Sequence, residues 1–143
     1  MKITATDDTL AEFNDMKLKH KIAYMVFKVD KVAPDNDESK KKEERIITEK
    51  SVLKADCGDD YIDAFIEDCK NAGTCRYAVI DENNKLLFVA WSPDTAKGKD
   101  KMVYASIREA FIEALVGIQI KIQCTDDSEL SEEEIIKQTA SKV

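Results

Sequence analysis

Basic residues and one methionine crowd into the stretch GKDKMVYASIREAF, residues 98–111, and their types suit binding better than catalysis. Cations there would steer an acidic partner and fix its orientation. Met102 is unbranched and polarisable, which suits a contact that becomes buried on binding. A solvated helix face with one exposed apolar residue explains the same pattern, and periodicity alone favours this second interpretation. The cations of the stretch and its approach are Lys97, Lys99, Lys101 and Arg108.

The residues that could support catalysis or hold a metal ion are few and scattered. His20, the one histidine, lies in LKHKI among lysines and is predicted to be solvated. A single histidine and irregularly spaced cysteines do not give the ligand pairs of a zinc site. No Cys–His signature and no phosphate-binding glycine loop is present. We therefore expect no enzyme activity, no metal and no cofactor. The cysteines are Cys57, Cys69, Cys75 and Cys124.

Composition and charge limit the class of protein further. The 143 residues, 43% hydrophobic and 36% charged, predict one globular domain with a charged surface. A net charge of −7 argues against nucleic acid as a partner, because nucleic-acid binders present a basic surface. No secretory signal is visible, and the longest apolar run, LLFVAW, is too short to span a bilayer. We therefore expect a cytoplasmic monomer with reduced thiols.

Hydrophobic periodicity predicts four helices and five strands that must position these residues. The predicted helices cover residues 7–18, 59–69, 97–115 and 131–140. The predicted strands cover residues 22–29, 44–53, 75–80, 85–91 and 118–124. Helices interleaved with hairpins favour an α+β fold, with a central mixed β-sheet of about five strands flanked on both faces by α-helices. Residues 33–44 are interpreted as a solvated loop.

The long helix is predicted to turn one apolar row toward the sheet. That row is Val103, Ile107, Ala110, Phe111 and Ala114. Met102 and Ile112 are predicted to lie outside the row, so the exposed face should carry both of them among the cations.

Three stretches of the chain resemble the ADF/cofilin family of actin-binding proteins. WSPDTAKGKDKMVYAS (91–106) resembles the family's signature region, TLAEFNDMKLKHKIAYMVFKV (9–29) its first helix and strand, and QCTDDSELSEEEII (123–136) its tail. The resemblance implies the ADF-homology fold, in a single copy over residues 1–143. It also implies binding to actin monomers and filament sides, a preference for ADP-actin, and promotion of severing and depolymerisation.

The resemblance assigns roles to individual residues. Lys99, Lys101 and Met102 match the basic pair and methionine at the start of the family's long helix. The N-terminal segment, residues 3–6, and the turn before the last helix match regions near the monomer contact. Tyr104 is interpreted as a packing residue. The predicted actin-binding residues are Ile3, Thr4, Thr6, Lys99, Lys101, Met102, Arg108, Ile112, Asp126 and Glu129.

The chain departs from the family on the surface used for filament binding. The family's projecting hairpin shrinks here to DENNK (81–85), where Lys85 alone keeps a basic position. On the last helix the family's arginines fall at Gln138 and Ser141, with Lys137 and Lys142 near but not at those positions. We therefore predict a bias toward monomers, with weak filament contacts through Lys85 and Lys137.

Two other functions remain open. Phosphoinositides are a second candidate ligand for the cations around the long helix, although each basic group contributes only about 1 kcal/mol near a membrane. A coactosin-like protein that binds filament sides without depolymerising them is the other alternative. The lysine triplet at 40–42 also makes nuclear shuttling a candidate, although glutamates follow it and a solvated loop is favoured.

Overall fold

A computed structural model of the chain describes residues 2–34, 37–82 and 84–141. Its helices are α1 (Asp7–Lys19), α2 (Lys54–Cys57), α3 (Tyr61–Asn71), α4 (Gly98–Ala114) and α5 (Glu132–Ser141), with a 3-10 turn at Gly58–Asp60. Its strands are β1 (Ile22–Val32), β2 (Glu43–Leu53), β3 (Arg76–Glu82), β4 (Lys85–Trp91) and β5 (Ile120–Cys124). The predicted order of elements is confirmed, and the short α2 with its 3-10 turn is an addition to it.

The five strands form one mixed sheet in the order β2-β1-β3-β4-β5. Neighbouring strands are antiparallel except β4 and β5, which are parallel. A parallel pair requires a crossover connection, and α4 supplies it. The start of α4 therefore lies at the end of the sheet where β4 and β5 both finish.

Helices cover both faces of the sheet, as predicted. One hydrophobic cluster joins the sheet to α1 and α4 through residues such as Phe13 and Phe111. A second cluster on the other face joins it to α3 and α5 through Phe65 and Ile135. Both faces carry apolar side chains because successive residues of a pleated strand point to opposite faces of the sheet.

Local sequence explains how α1 and α5 begin. The side chain of Thr6 accepts a hydrogen bond from the Thr9 amide and so caps the helix. Ser131 Oγ accepts a hydrogen bond of 3.2 Å from the Glu134 amide in the same way. Both caps satisfy amides that have no partner within the helix.

His20 is exposed, as predicted, and it also contacts a buried carboxylate. It ends α1 in a left-handed conformation with φ of 54°. Its Nδ1 lies 3.1 Å from Oδ2 of Asp81, a buried carboxylate that also receives Lys54 Nζ at 3.1 Å. Burying a carboxylate is costly unless donors satisfy it, and the donors to Asp81 come from the end of α1 and the start of α2. These contacts therefore tie both helices to the β3–β4 hairpin.

The β3–β4 hairpin is as short as the sequence predicts. Backbone pairing continues to Glu82 and Lys85, so two residues make the turn. One of them, Asn84, has φ of 66°, the left-handed region that a tight hairpin turn requires. The other, Asn83, lies outside the described residues.

Candidate binding surface around helix α4

Helix α4 is rotated relative to the predicted apolar row. Its buried residues are Tyr104, Ile107, Phe111 and Ile112. Ala110 and Ala114 are exposed, so their place in the row is wrong. The prediction of an exposed Ile112 is also wrong, since only 8% of it is exposed. The small alanines gain little by burial, so the larger side chains decide the rotation.

Two tyrosines fix this rotation. Tyr104 is buried as predicted, and its hydroxyl accepts a hydrogen bond of 2.9 Å from the Val29 amide of β1. The Tyr77 hydroxyl of β3 donates to the Tyr104 carbonyl. Phe111 packs against Tyr77 and Phe27 with ring centroids 5.4 and 5.1 Å apart. Burial raises the pKa of the Tyr104 hydroxyl, so it stays a neutral hydrogen-bonding group.

The start of α4 presents an apolar residue between cations, as predicted. Met102 is 66% exposed, although it is a large hydrophobic residue. Lys99 is exposed and has no partner among the residues that the structure describes. Lys101 is half-buried, and its Nζ donates to the Asp94 carbonyl at 3.0 Å. The pair therefore consists of one free cation and one held cation.

Arg108 lies two turns further along α4 and already has partners within the chain. Its guanidinium donates to Gln123 Oε1 of β5 and to Glu109 Oε1, the latter at 3.3 Å. A partner carboxylate would have to compete with these contacts. Arg108 is therefore a weaker candidate for steering than Lys99.

The two predicted acidic residues lie in the turn before α5, and both have partners there. Asp126 Oδ1 accepts from Ser128 Oγ at 2.6 Å and from the Glu129 amide at 3.0 Å. The Ser128 hydroxyl, more than the backbone, lowers the pKa of Asp126. Glu129 Oε1 accepts from Thr125 Oγ1 at 2.6 Å. These bonds fix the shape of the turn and keep Asp126 ionised and exposed.

A cleft of about 430 Å³ separates this acidic turn from the turn that leads into α4. Its walls include Asp94 and Thr95 on one side and Asp126 and Asp127 on the other. The Asp94 carbonyl is also the acceptor for Lys101. The structure therefore brings the predicted cations of α4 and the predicted acids of the β5–α5 turn to neighbouring positions.

The N-terminal segment lies on the outer edge of β2, and one prediction about it is wrong. Ile3 is only 7% exposed and packs into the cluster beneath α1 and α4, so its side chain is not available to a partner. Thr4 is exposed, and Thr6 is half-buried because it caps α1. Thr4 therefore remains the best candidate for contact in this segment.

Register relates the N-terminal segment to the first half of α4 through strands β2 and β1. Ala5 pairs with Ile46, which lies opposite Val29 on β1. The Val29 amide in turn meets the Tyr104 hydroxyl. Two strand spacings, about 10 Å, therefore separate the segment from the strand that contacts Tyr104.

The residues predicted for filament contact are separated from this surface. Lys85 is half-buried at the β3–β4 turn, at the end of the sheet opposite the start of α4. Lys137 is exposed on α5. Lys142 lies outside the described residues.

The cysteines are free thiols and three of them are buried. Burial is the main reason that the pKa values of Cys69 and Cys124 rise to about 12.

Within residues 2–34, 37–82 and 84–141, no group of three or more His, Cys, Asp or Glu side chains could hold a metal ion. No helix in the same part of the chain is long and apolar enough to cross a membrane.

Several residues that shape this surface gave no signal in the sequence. Asp94 acts through its carbonyl, which any residue could supply, and Gln123 is an ordinary polar residue on a strand. Arg45 binds two carbonyls of the N-terminal segment, but in the sequence nothing distinguishes it from the charged residues around it. Hydrophobic periodicity indicates which face of a helix or strand is apolar. The contacts of Asp94, Gln123 and Arg45 depend instead on how the elements are aligned with one another.

Comparison with known proteins identifies the class to which this fold and surface belong. A family profile described as "Cofilin/tropomyosin-type actin-binding protein" matches residues 2–140. The chain belongs to the ADF/cofilin family. Cofilin of Ogataea parapolymorpha is 37% identical, over 94% of this chain and 90% of that protein. Actophorin of Acanthamoeba castellanii is 32% identical, over 99% of this chain and 97% of that protein. The crystal structure of Streptomyces griseoflavus cofilin has a TM-score of 0.74 and 35% identity, covering 96% of this chain and 98% of that one.

Proposed function

We propose that this chain is a single ADF-homology domain that binds actin monomers, prefers the ADP form and promotes filament depolymerisation in the cytoplasm. The observation that carries the proposal is Met102, 66% exposed near the start of α4. A large exposed apolar side chain between lysines suits insertion into an apolar slot on a partner whose surface is acidic.

The attachment of α4 to the sheet supports this role. The Val29–Tyr104 and Tyr77–Tyr104 hydrogen bonds hold the first half of α4 against β1 and β3. The Asp94 carbonyl, in the turn before the helix, accepts a hydrogen bond from Lys101 Nζ and so holds that side chain. A surface that is already fixed loses little conformational entropy on binding, which favours affinity.

The surface expected to meet a filament is poor in free cations. The β3–β4 hairpin does not project, because its strands pair up to Glu82 and Lys85. The first turn of α5 is acidic, and the nearby Asp63 carboxylate raises the pKa of Glu132. We therefore propose that filament-side binding is weak and that depolymerisation proceeds mainly through monomer binding.

Phosphoinositides are a secondary ligand in this proposal. Lys97 and Lys99 are exposed at the start of α4 with no partner among the described residues, whereas Lys101 and Arg108 are engaged. Two free cations contribute only about 2 kcal/mol at an anionic membrane, and the net charge of −7 opposes them. Lipid binding is expected to be weak and to compete with actin.

High-speed sedimentation of actin at steady state with increasing protein tests the proposal. The wild type should move actin into the supernatant without pelleting itself, and the double variant Lys101→Ala/Met102→Ala should do neither. The matched control is Lys121→Ala/Val116→Ala, since Val116 is 67% exposed beyond the other end of α4 and Lys121 is exposed on β5. Pelleting of the wild type with no change in soluble actin would instead support the coactosin-like alternative.

A further inference from the structure

The N-terminal segment is held on the edge of β2 by little backbone pairing. Ala5 forms a single parallel bridge with Ile46. The Thr6 amide donates to the Ile46 carbonyl at 3.1 Å, and the Ile46 amide donates to the Thr4 carbonyl at 3.0 Å. A parallel ladder is slightly weaker per residue than an antiparallel one, and here it amounts to one bridge. The segment therefore depends on additional contacts.

Arg45 supplies the additional contacts. Its Nε donates to the Thr4 carbonyl at 3.0 Å, and its Nη2 donates to the Ala5 carbonyl at 2.8 Å. The rigid guanidinium fork meets two successive carbonyls at once, which a lysine ammonium on a flexible stem does not reproduce. Arg45 as a residue is half-buried, and the bond to the Ala5 carbonyl is partly buried, whereas the bond to the Thr4 carbonyl is exposed.

The fixed segment has two distinct sides. Ile3 and Ala5 are buried against the core, 7% and 8% exposed, while the intervening Thr4 points outward. Without the Arg45 contacts, only the two backbone bonds to Ile46 and the burial of Ile3 and Ala5 would hold this alternation, and with it the register of the segment through Ile46 to Val29.

We propose that Arg45 is a positioning residue for partner binding: it holds the N-terminal segment on β2 in the conformation that actin meets together with the start of α4. The inference rests on the proposed actin function. Arg45 acts through the segment and does not itself contact actin. When the segment is released, only a fraction of molecules is competent to bind, and the apparent affinity falls by that fraction.

Hydrogen exchange tests the holding of the segment without actin. In Arg45→Met the Thr6 amide, which is bonded to the Ile46 carbonyl, should exchange at least about tenfold faster than in the wild type. Arg45→Lys should resemble Arg45→Met. The control Lys42→Met removes the same charge from the same region, and Lys42 has no hydrogen bond or ion pair among the described residues; it should exchange like the wild type. Unchanged exchange in Arg45→Met overturns the inference.

A double-mutant cycle on actin-monomer affinity tests the positioning role. Arg45→Met should weaken binding about tenfold, and deleting residues 2–5 should weaken it at least as much. Arg45→Met should then have no further effect in the truncated chain, with folding of each variant checked by thermal denaturation. If Arg45→Met weakens the truncated chain equally, Arg45 contacts actin directly and the inference fails. It also fails if faster exchange comes with unchanged affinity. A wild type that does not bind actin would overturn both the proposed function and this inference. Results on the Arg45 variants can overturn only the inference.

Discussion

Replacing Met102 by alanine should weaken actin-monomer binding without destabilising the fold. Full burial of a methionine side chain is worth about 1.5–3 kcal/mol, and 66% of Met102 is exposed before binding. Its burial by a partner would therefore contribute about 1–2 kcal/mol, so Met102→Ala should raise Kd about 5- to 30-fold. The side chain makes few contacts within the chain, so the free energy of unfolding should change by less than about 0.5 kcal/mol.

Titration of fluorescently labelled ADP-actin monomers measures this change, beside thermal denaturation of each variant. Val116→Ala is the matched control, because Val116 is 67% exposed beyond the other end of the helix, and it should bind like the wild type. A Met102→Ala protein that binds with unchanged affinity would show that exposure of this residue has no functional meaning. Equal losses in both variants would point to a general effect of exposed apolar area.

Three further predictions concern stability, pH and thiol chemistry. Tyr104→Phe leaves the Val29 amide without its acceptor and should cost about 1–2 kcal/mol, seen as a fall in Tm of several degrees; an unchanged Tm would mean that the bond does not fix α4. The Asp63 carboxylate raises the pKa of Glu132, so the ionised form is disfavoured in the folded state, and Glu132→Gln should raise Tm at pH 7. That gain should vanish as the pH falls through the raised pKa and Glu132 becomes protonated, and a gain that persists at pH 3 would contradict the repulsion. Cys57, half-buried, should react with a thiol reagent before the buried Cys69, Cys75 and Cys124, and mass spectrometry showing equal labelling in the native protein would contradict their burial.

The order of elements and the sheet could be predicted because each depends on local patterns. The alternation along β5 and the cap at Ser131 depend on neighbouring residues, and both occur in the structure. The short hairpin at 81–85 is equally local, since too few residues are present to project from the sheet.

The rotation of α4 and the contacts of the site could not be predicted in full. Val103 and Tyr104 are both compatible with a helical row, and the choice depends on Tyr77 and Val29, which lie far away in sequence. Tertiary hydrogen bonds therefore bury Tyr104 and carry Ile112 inward with it. Likewise, the burial of Asp81 beside His20 depends on how three elements meet.

The binding residues at the start of α4 could be predicted from family resemblance and composition together. The exposure of Met102 and Lys99 agrees with the expectation for a binding surface.

Sedimentation velocity of ADP-actin, kept monomeric at low ionic strength and mixed with this protein, tests the central claim most directly. We expect a 1:1 complex that sediments faster than either component and is lost or strongly reduced with Lys101→Ala/Met102→Ala. Two components that sediment independently at every ratio would contradict monomer binding through α4, above all if the protein binds filaments in a separate pelleting assay.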